Sequence, residues 1–131
     1  MKNNKNTEAF LSYEPYSLEQ KEKERKILPL LNELTQSHDV ACLKYSKILK
    51  ALNYNSNVGF SSISEIPFLP VRLFKEYKLA SIADEDVIKV LTSSGTTSQS
   101  VSKIYLDRDT ASYQTKALVS IMKSYLGNKR L

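Results

Sequence analysis

Residues 87–110 read VIKVLTSSGTTSQSVSKIYLDRDT. The segment holds two short runs rich in β-branched residues, DVIKVL (86–91) and SKIYL (102–106), the composition that fits a pleated, half-buried strand. Between them lies a serine- and threonine-rich stretch with one of the three glycines of the chain. The order strand, loop, strand is followed by Asp107 and Asp109, either of which can cap a helix. That helix carries Leu118, Ile121, Met122 and Tyr125 as an apolar stripe and stops near Gly127. This arrangement makes the chain an α/β protein.

Outward toward the amino terminus the pattern turns helical. Ser17 and Gln20 have the spacing of a capping box, and Ile27, Leu30, Leu31 and Leu34 recur at i, i+3, i+4 and i+7. The alternating charges of QKEKERK (20–26) fall on the opposite, solvated face. Pro29 has no amide hydrogen, so it predicts a kink or a restart of this helix. A second helix is expected from about Asp39 to Leu52, carried by Tyr45, Ile48, Leu49 and Leu52 and packed on the first as a hairpin. His38 reads as a helix-start residue beside the capping Asp39. Cys42 reads as a small, half-buried residue of the second helix. NYNSNVGFSSIS (53–64) has loop chemistry and reads as a connector and hinge. In IPFLPVRLF (66–74) the two prolines predict an extended arm. The chain therefore divides into a helical region (1–52), a loop (53–64), and an arm with strand–loop–strand–helix (65–131).

Composition narrows the function classes. A hydrophobic content of 41% with 25% charged residues is that of a globular chain, with enough apolar surface to offset chain entropy. No apolar run is long enough to cross a bilayer, and MKNNKNTEAF has no secretory h-region, so a cytoplasmic protein with no transmembrane segment is expected. A single cysteine rules out an intrachain disulfide and speaks against a cysteine zinc site. The net charge of +5 raises nucleic acid as a partner, but the lysines are scattered rather than gathered on one face with interleaved aromatics, so none is expected.

The stretch at 92–103 has a chemistry of its own. Gly95 lets backbone amides approach an anion because no Cβ obstructs them. Ser93, Ser94, Thr96 and Thr97 add hydroxyls that can donate to phosphate oxygens or ligate magnesium, and Lys103 adds a mobile positive charge. It is not the Walker pattern, which requires a second glycine and an adjacent lysine. By composition alone it fits a solvated, mobile connector between two strands better than a phosphate site.

The string SSGTT between two strands resembles the phosphate loop of adenylate-forming enzymes, among them acyl- and aryl-CoA ligases. With IPFLPVRLFKEYKL upstream and VLTSSGTTSQSVSKIYLDRDTA and KAL downstream, the chain more narrowly resembles the acyl-protein synthetase family, whose best-known member is the fatty-acid ligase component of bacterial bioluminescence. The resemblance implies an incomplete amino-terminal part of an adenylate-forming large domain. It also implies ATP and Mg²⁺ as cofactors of the complete enzyme, and a long-chain fatty acid or other carboxylate activated as an acyl-adenylate with release of pyrophosphate. The acyl group then passes to a protein thiol, on an acceptor or reductase partner. Thr92, Ser93, Ser94, Gly95, Thr96, Thr97, Ser98 and Lys103 are the implied nucleotide-binding residues, with no catalytic or metal-ligating residue in this chain. Two departures stand out: Ser98 takes the place of a second glycine, and Lys103 lies two positions beyond the usual lysine. These 131 residues alone are expected to be inactive, because half a site gives neither orientation nor water exclusion. The alternatives are a fragment of a phenylacetate–CoA-ligase-like enzyme and a non-catalytic module that binds a partner through Tyr13, Tyr16, Phe68 and Phe74.

Overall fold

In a computed structural model, which describes residues 5–94 and 101–127, five helices and a two-stranded hairpin are arranged in one chain order. They are α1 (Lys5–Leu11), α2 (Gln20–Ala41), α3 (Leu43–Ala51), α4 (Val71–Glu76), β1 (Lys89–Thr92), β2 (Lys103–Leu106) and α5 (Arg108–Leu126). Short 3₁₀ turns lie at Ile63–Glu65 and Asp84–Asp86.

The first long helix departs from expectation at both ends. Ser17 is not its cap: the hydroxyl donates to the Glu14 carbonyl at 2.7 Å, inside a turn whose Tyr16 sits at φ 65°. That turn uses the oxygen a capping box would need, and α2 begins only at Gln20, after Glu19, with no side-chain cap. At the other end α2 runs through His38 and Asp39 to Ala41, so neither residue starts a helix. The break falls at Cys42, whose extended backbone (φ −122°, ψ 98°) separates α2 from α3 in a single residue. The two helices therefore meet at a corner. Pro29 does not restart α2, which runs through it as a single helix of 22 residues. Pro29 and Arg25 are both exposed, which leaves the carbonyl deprived of its amide on the solvent side, where water can satisfy it.

α3 ends in a Schellman motif: the Tyr54 amide donates to the Leu49 carbonyl (2.9 Å) and the Asn53 amide to the Lys50 carbonyl (3.0 Å). Asn53 adopts φ 58°, a left-handed conformation that asparagine tolerates better than most residues. The connector that follows lies along α2 rather than swinging free. Asn32 grips Phe60 on both sides, accepting from its amide (2.8 Å) and donating to its carbonyl (3.0 Å). Ser56 donates to Asp39 (2.5 Å), and the Ile63 amide donates to Glu24 (3.3 Å). Gly59, at φ +72°, is needed at this crossing, since a Cβ there would lie 3.3 Å from the Asn32 side-chain nitrogen.

The arm is extended only through Pro70. Val71–Glu76 is helical, a correction to the expected continuous arm: proline's fixed φ (−58°) constrains only the entry, and nothing in VRLFKE opposes helix. The hairpin is antiparallel, in the register Lys89↔Leu106, Val90↔Tyr105, Leu91↔Ile104 and Thr92↔Lys103. Two strands alone are marginal in water. β2 gains cover at its end, where Leu106 is buried and leads directly into α5. Asp107 is the residue that caps α5, accepting from the Thr110 amide at 2.8 Å, a contribution of about 1 kcal/mol. Burial pushes the Asp107 carboxyl up, but the opposing interactions together, the hydrogen bonds from Thr110 first among them, hold it below its ordinary value. Gly127 (φ 73°) ends the helix as expected. The stripe on α5 does not face a core: Leu118, Met122 and Tyr125 are each about half exposed or more, at 57%, 49% and 73%. Among the described residues the buried apolar ones are Cys42, Leu49 and Leu106.

Candidate functional site

The hairpin continues one rung beyond β1 and β2. The Ser93 amide donates to the Ser102 carbonyl at 3.2 Å, and the Ser102 amide donates back to the Ser93 hydroxyl oxygen at 3.1 Å. This reciprocal pair closes the described end of the hairpin. Thr92 and Lys103 are direct partners one rung below, so their side chains share a face of the sheet. Both are exposed, as is Ser94. Of the residues expected to bind nucleotide, the structure thus brings together Thr92, Ser93, Ser94 and Lys103 at one end of the hairpin. Gly95, Thr96, Thr97 and Ser98 lie outside the described residues.

Exposed hydroxyls beside an exposed ammonium, on paired strands, are donors for an anionic group. Ser93 differs from its neighbours, since its oxygen already accepts a backbone hydrogen bond while its proton can still be donated. Among the described residues no group of three or more His, Cys, Asp or Glu is placed to hold a metal ion. No helix among them is long and apolar enough to cross a membrane.

A second feature escaped the sequence reading. A cleft of about 610 Å³ lies between the α2–α3 corner, the arm and β2. Leu34, Phe74, Leu79 and Leu106 form part of its apolar wall, and His38, Cys42 and Ser81 also line it. His38 Nδ1 lies 2.6 Å from the Ser81 hydroxyl, and the Tyr45 ring stands edge-on to the imidazole at 6.3 Å. A contact 43 residues apart leaves no periodic trace in the sequence. Of the aromatic residues weighed as interface anchors, Phe74 faces this cleft, Phe68 and Tyr16 are exposed, and Tyr13 binds the Lys26 ammonium through its hydroxyl at 2.8 Å.

Burial holds the His38 imidazole below its ordinary pKa of 6.5. The unfolded chain therefore binds a proton that the folded chain refuses between the lowered value and 6.5, and stability must rise with pH through that window. Urea unfolding at pH 5 and pH 8 is expected to give the higher midpoint at pH 8, with His38→Gln reducing the difference. An unchanged difference would mean that His38 is not its source. The Asp39 carboxyl, lowered chiefly by the Ser56 hydrogen bond, acts in a separate window. Its contribution is full above the ordinary 3.8 and is lost as pH falls below it.

No curated protein and no solved structure matches the chain. The family model described as Acyl-protein synthetase, LuxE matches residues 3–131, which takes in the helices, the arm, the hairpin and the hydroxyl-rich stretch alike. The chain belongs to the acyl-protein synthetase family.

Proposed function

We propose that the chain is the amino-terminal part of an ATP-dependent acyl-protein ligase that activates a long-chain carboxylate as its acyl-adenylate and passes the acyl group to a protein thiol. The observation that supports this reading is the closed hairpin base: the Ser93–Ser102 rung stands one step beyond the Thr92↔Lys103 pair, with Ser94 exposed beside it. Residues 92–98 with Lys103 are then the grip on the β- and γ-phosphates. In the reaction a carboxylate oxygen forms a bond to the α-phosphorus while the bond to the departing pyrophosphate breaks. Negative charge accumulates on the leaving phosphates, so fixed amide and hydroxyl donors with one lysine lower the barrier most where that charge grows. Magnesium bound with the nucleotide supplies further charge neutralisation. The described residues fit that role as donors to phosphate, with Thr92 and Ser94 exposed and not as a carboxylate cage.

The test is release of pyrophosphate from ATP by the parent enzyme. Release that depends on adding tetradecanoate is expected, and its absence with every acid tried would overturn the reading. In that event the partner-binding alternative gains, because the exposed stripe of α5 is the kind of surface a docking face presents.

A further inference from the structure

Folded interiors leave few voids larger than a water molecule, whereas small-molecule sites are mostly apolar clefts of about 300–1,000 Å³ with a few convergent polar groups. The cleft between the α2–α3 corner and β2 belongs to the second kind, at about 610 Å³ with the His38–Ser81 pair on its wall. Its charge is one-sided. None of its lining residues is lysine or arginine, and the one carboxylate there, Asp107, is buried and engaged with Thr110. Such an interior repels an ionised acid group but accepts a hydrocarbon chain. Beside the wall the Lys78 ammonium lies 5.1 Å from the centroid of the Tyr105 ring and is paired with the Asp84 carboxylate, so the charged groups there lie outside the cleft. The same strand that lines the cleft with Ile104, Tyr105 and Leu106 begins at Lys103, one rung below the hydroxyl-rich stretch.

We propose that this cleft takes the aliphatic tail of the acyl substrate, methyl end inward, and leaves the carboxylate outside it. The assignment rests on the reading of the chain as part of a long-chain carboxylate ligase, and it adds the place where the chain length is measured. β2 then serves both substrates, with one end beside the phosphate grip and its middle against the acyl chain.

The experiment titrates the 131-residue chain with tetradecanoate, decanoate and hexanoate in the absence of nucleotide. Affinity is expected to fall by about three- to fourfold for each CH₂ removed. Ala80→Phe fills the cleft from a half-buried position, and Ile104→Trp fills it from a residue 48% exposed, where a larger ring strains no core. Each is expected to weaken tetradecanoate at least about tenfold while the circular dichroism spectrum stays that of the unaltered chain. In the unaltered chain, nuclear Overhauser contacts are expected between the terminal methyl of tetradecanoate and the Phe74 ring, a readout that needs no variant to fold. Unchanged affinity in a folded variant, or a methyl group with no contact to Phe74, overturns the assignment. Failure of the parent reading looks different: tetradecanoate still binds and still contacts Phe74, but the complete enzyme releases no pyrophosphate from ATP.

Discussion

Gly95→Val in the parent enzyme is expected to lower acid-dependent pyrophosphate release by at least about 100-fold, the scale of losing a preorganised donor to a charged transition state. Valine adds a β-branched side chain where backbone amides must come within hydrogen-bond distance of phosphate oxygens, and it also stiffens a backbone that glycine leaves free. Thr96→Ala removes one hydroxyl and leaves every amide in place, so a smaller loss of about tenfold is expected. The anchoring geometry makes the comparison clean. The Ser93–Ser102 rung fixes the base of the stretch on its own two hydrogen bonds, so neither substitution touches what holds it to the sheet. The split between KM for ATP and kcat carries the mechanism: a donor used only as charge grows lowers kcat, whereas one that merely holds ground-state nucleotide raises KM. Rates unchanged by Gly95→Val would remove the assignment of residues 92–98 as the phosphate grip, whatever else the family does.

The parts of this fold governed by local chemistry were legible before any coordinates. The two strands are found within three residues of where β-branched composition put them, and Asp107 and Gly127 bound α5 because a carboxylate cap and a glycine stop act within one turn of the chain. Errors came where a local signal met a competing hydrogen-bond partner, near or distant. Ser17 and Gln20 have capping-box spacing, yet the Ser17 hydroxyl is spent on Glu14 in the preceding turn. Asp39 reads as a cap, yet Ser56 claims its carboxylate from across the connector while α2 runs on to the corner at Cys42. No periodicity marks that corner, since Leu34, His38 and Cys42 keep helical spacing through it. α1 went unread because seven residues are too few to establish a period. Around the candidate site, the strands that flank SSGTT could be read directly, but the His38–Ser81 pair and the cleft around it exist only once distant segments meet.

Leu49→Ala is expected to be the most damaging single change to stability in the helical region. Leu49 is 1% exposed, the most completely buried large side chain among the described residues, and it stands one helical turn after Tyr45 on the face of α3 turned toward α2. The Leu49 carbonyl receives the Tyr54 amide at the end of α3, which holds the backbone there and limits how far it can close over a cavity. Under that constraint the cost lies within the range of about 2–5 kcal/mol seen for buried Leu→Ala changes. Against a total of about 5–15 kcal/mol for an ordinary domain, and with few other residues buried so fully, the melting temperature is expected to fall by about 10 °C or more. Val40→Ala is the control, since Val40 is 86% exposed and its truncation is expected to shift stability by less than about 0.5 kcal/mol. Its position two residues before the Cys42 corner separates burial from mere proximity to the break in the helix. Equal shifts for the two variants, read by thermal circular dichroism, would mean that Leu49 is not held in a fixed core and that the α2–α3 corner is stabilised by its hydrogen bonds alone.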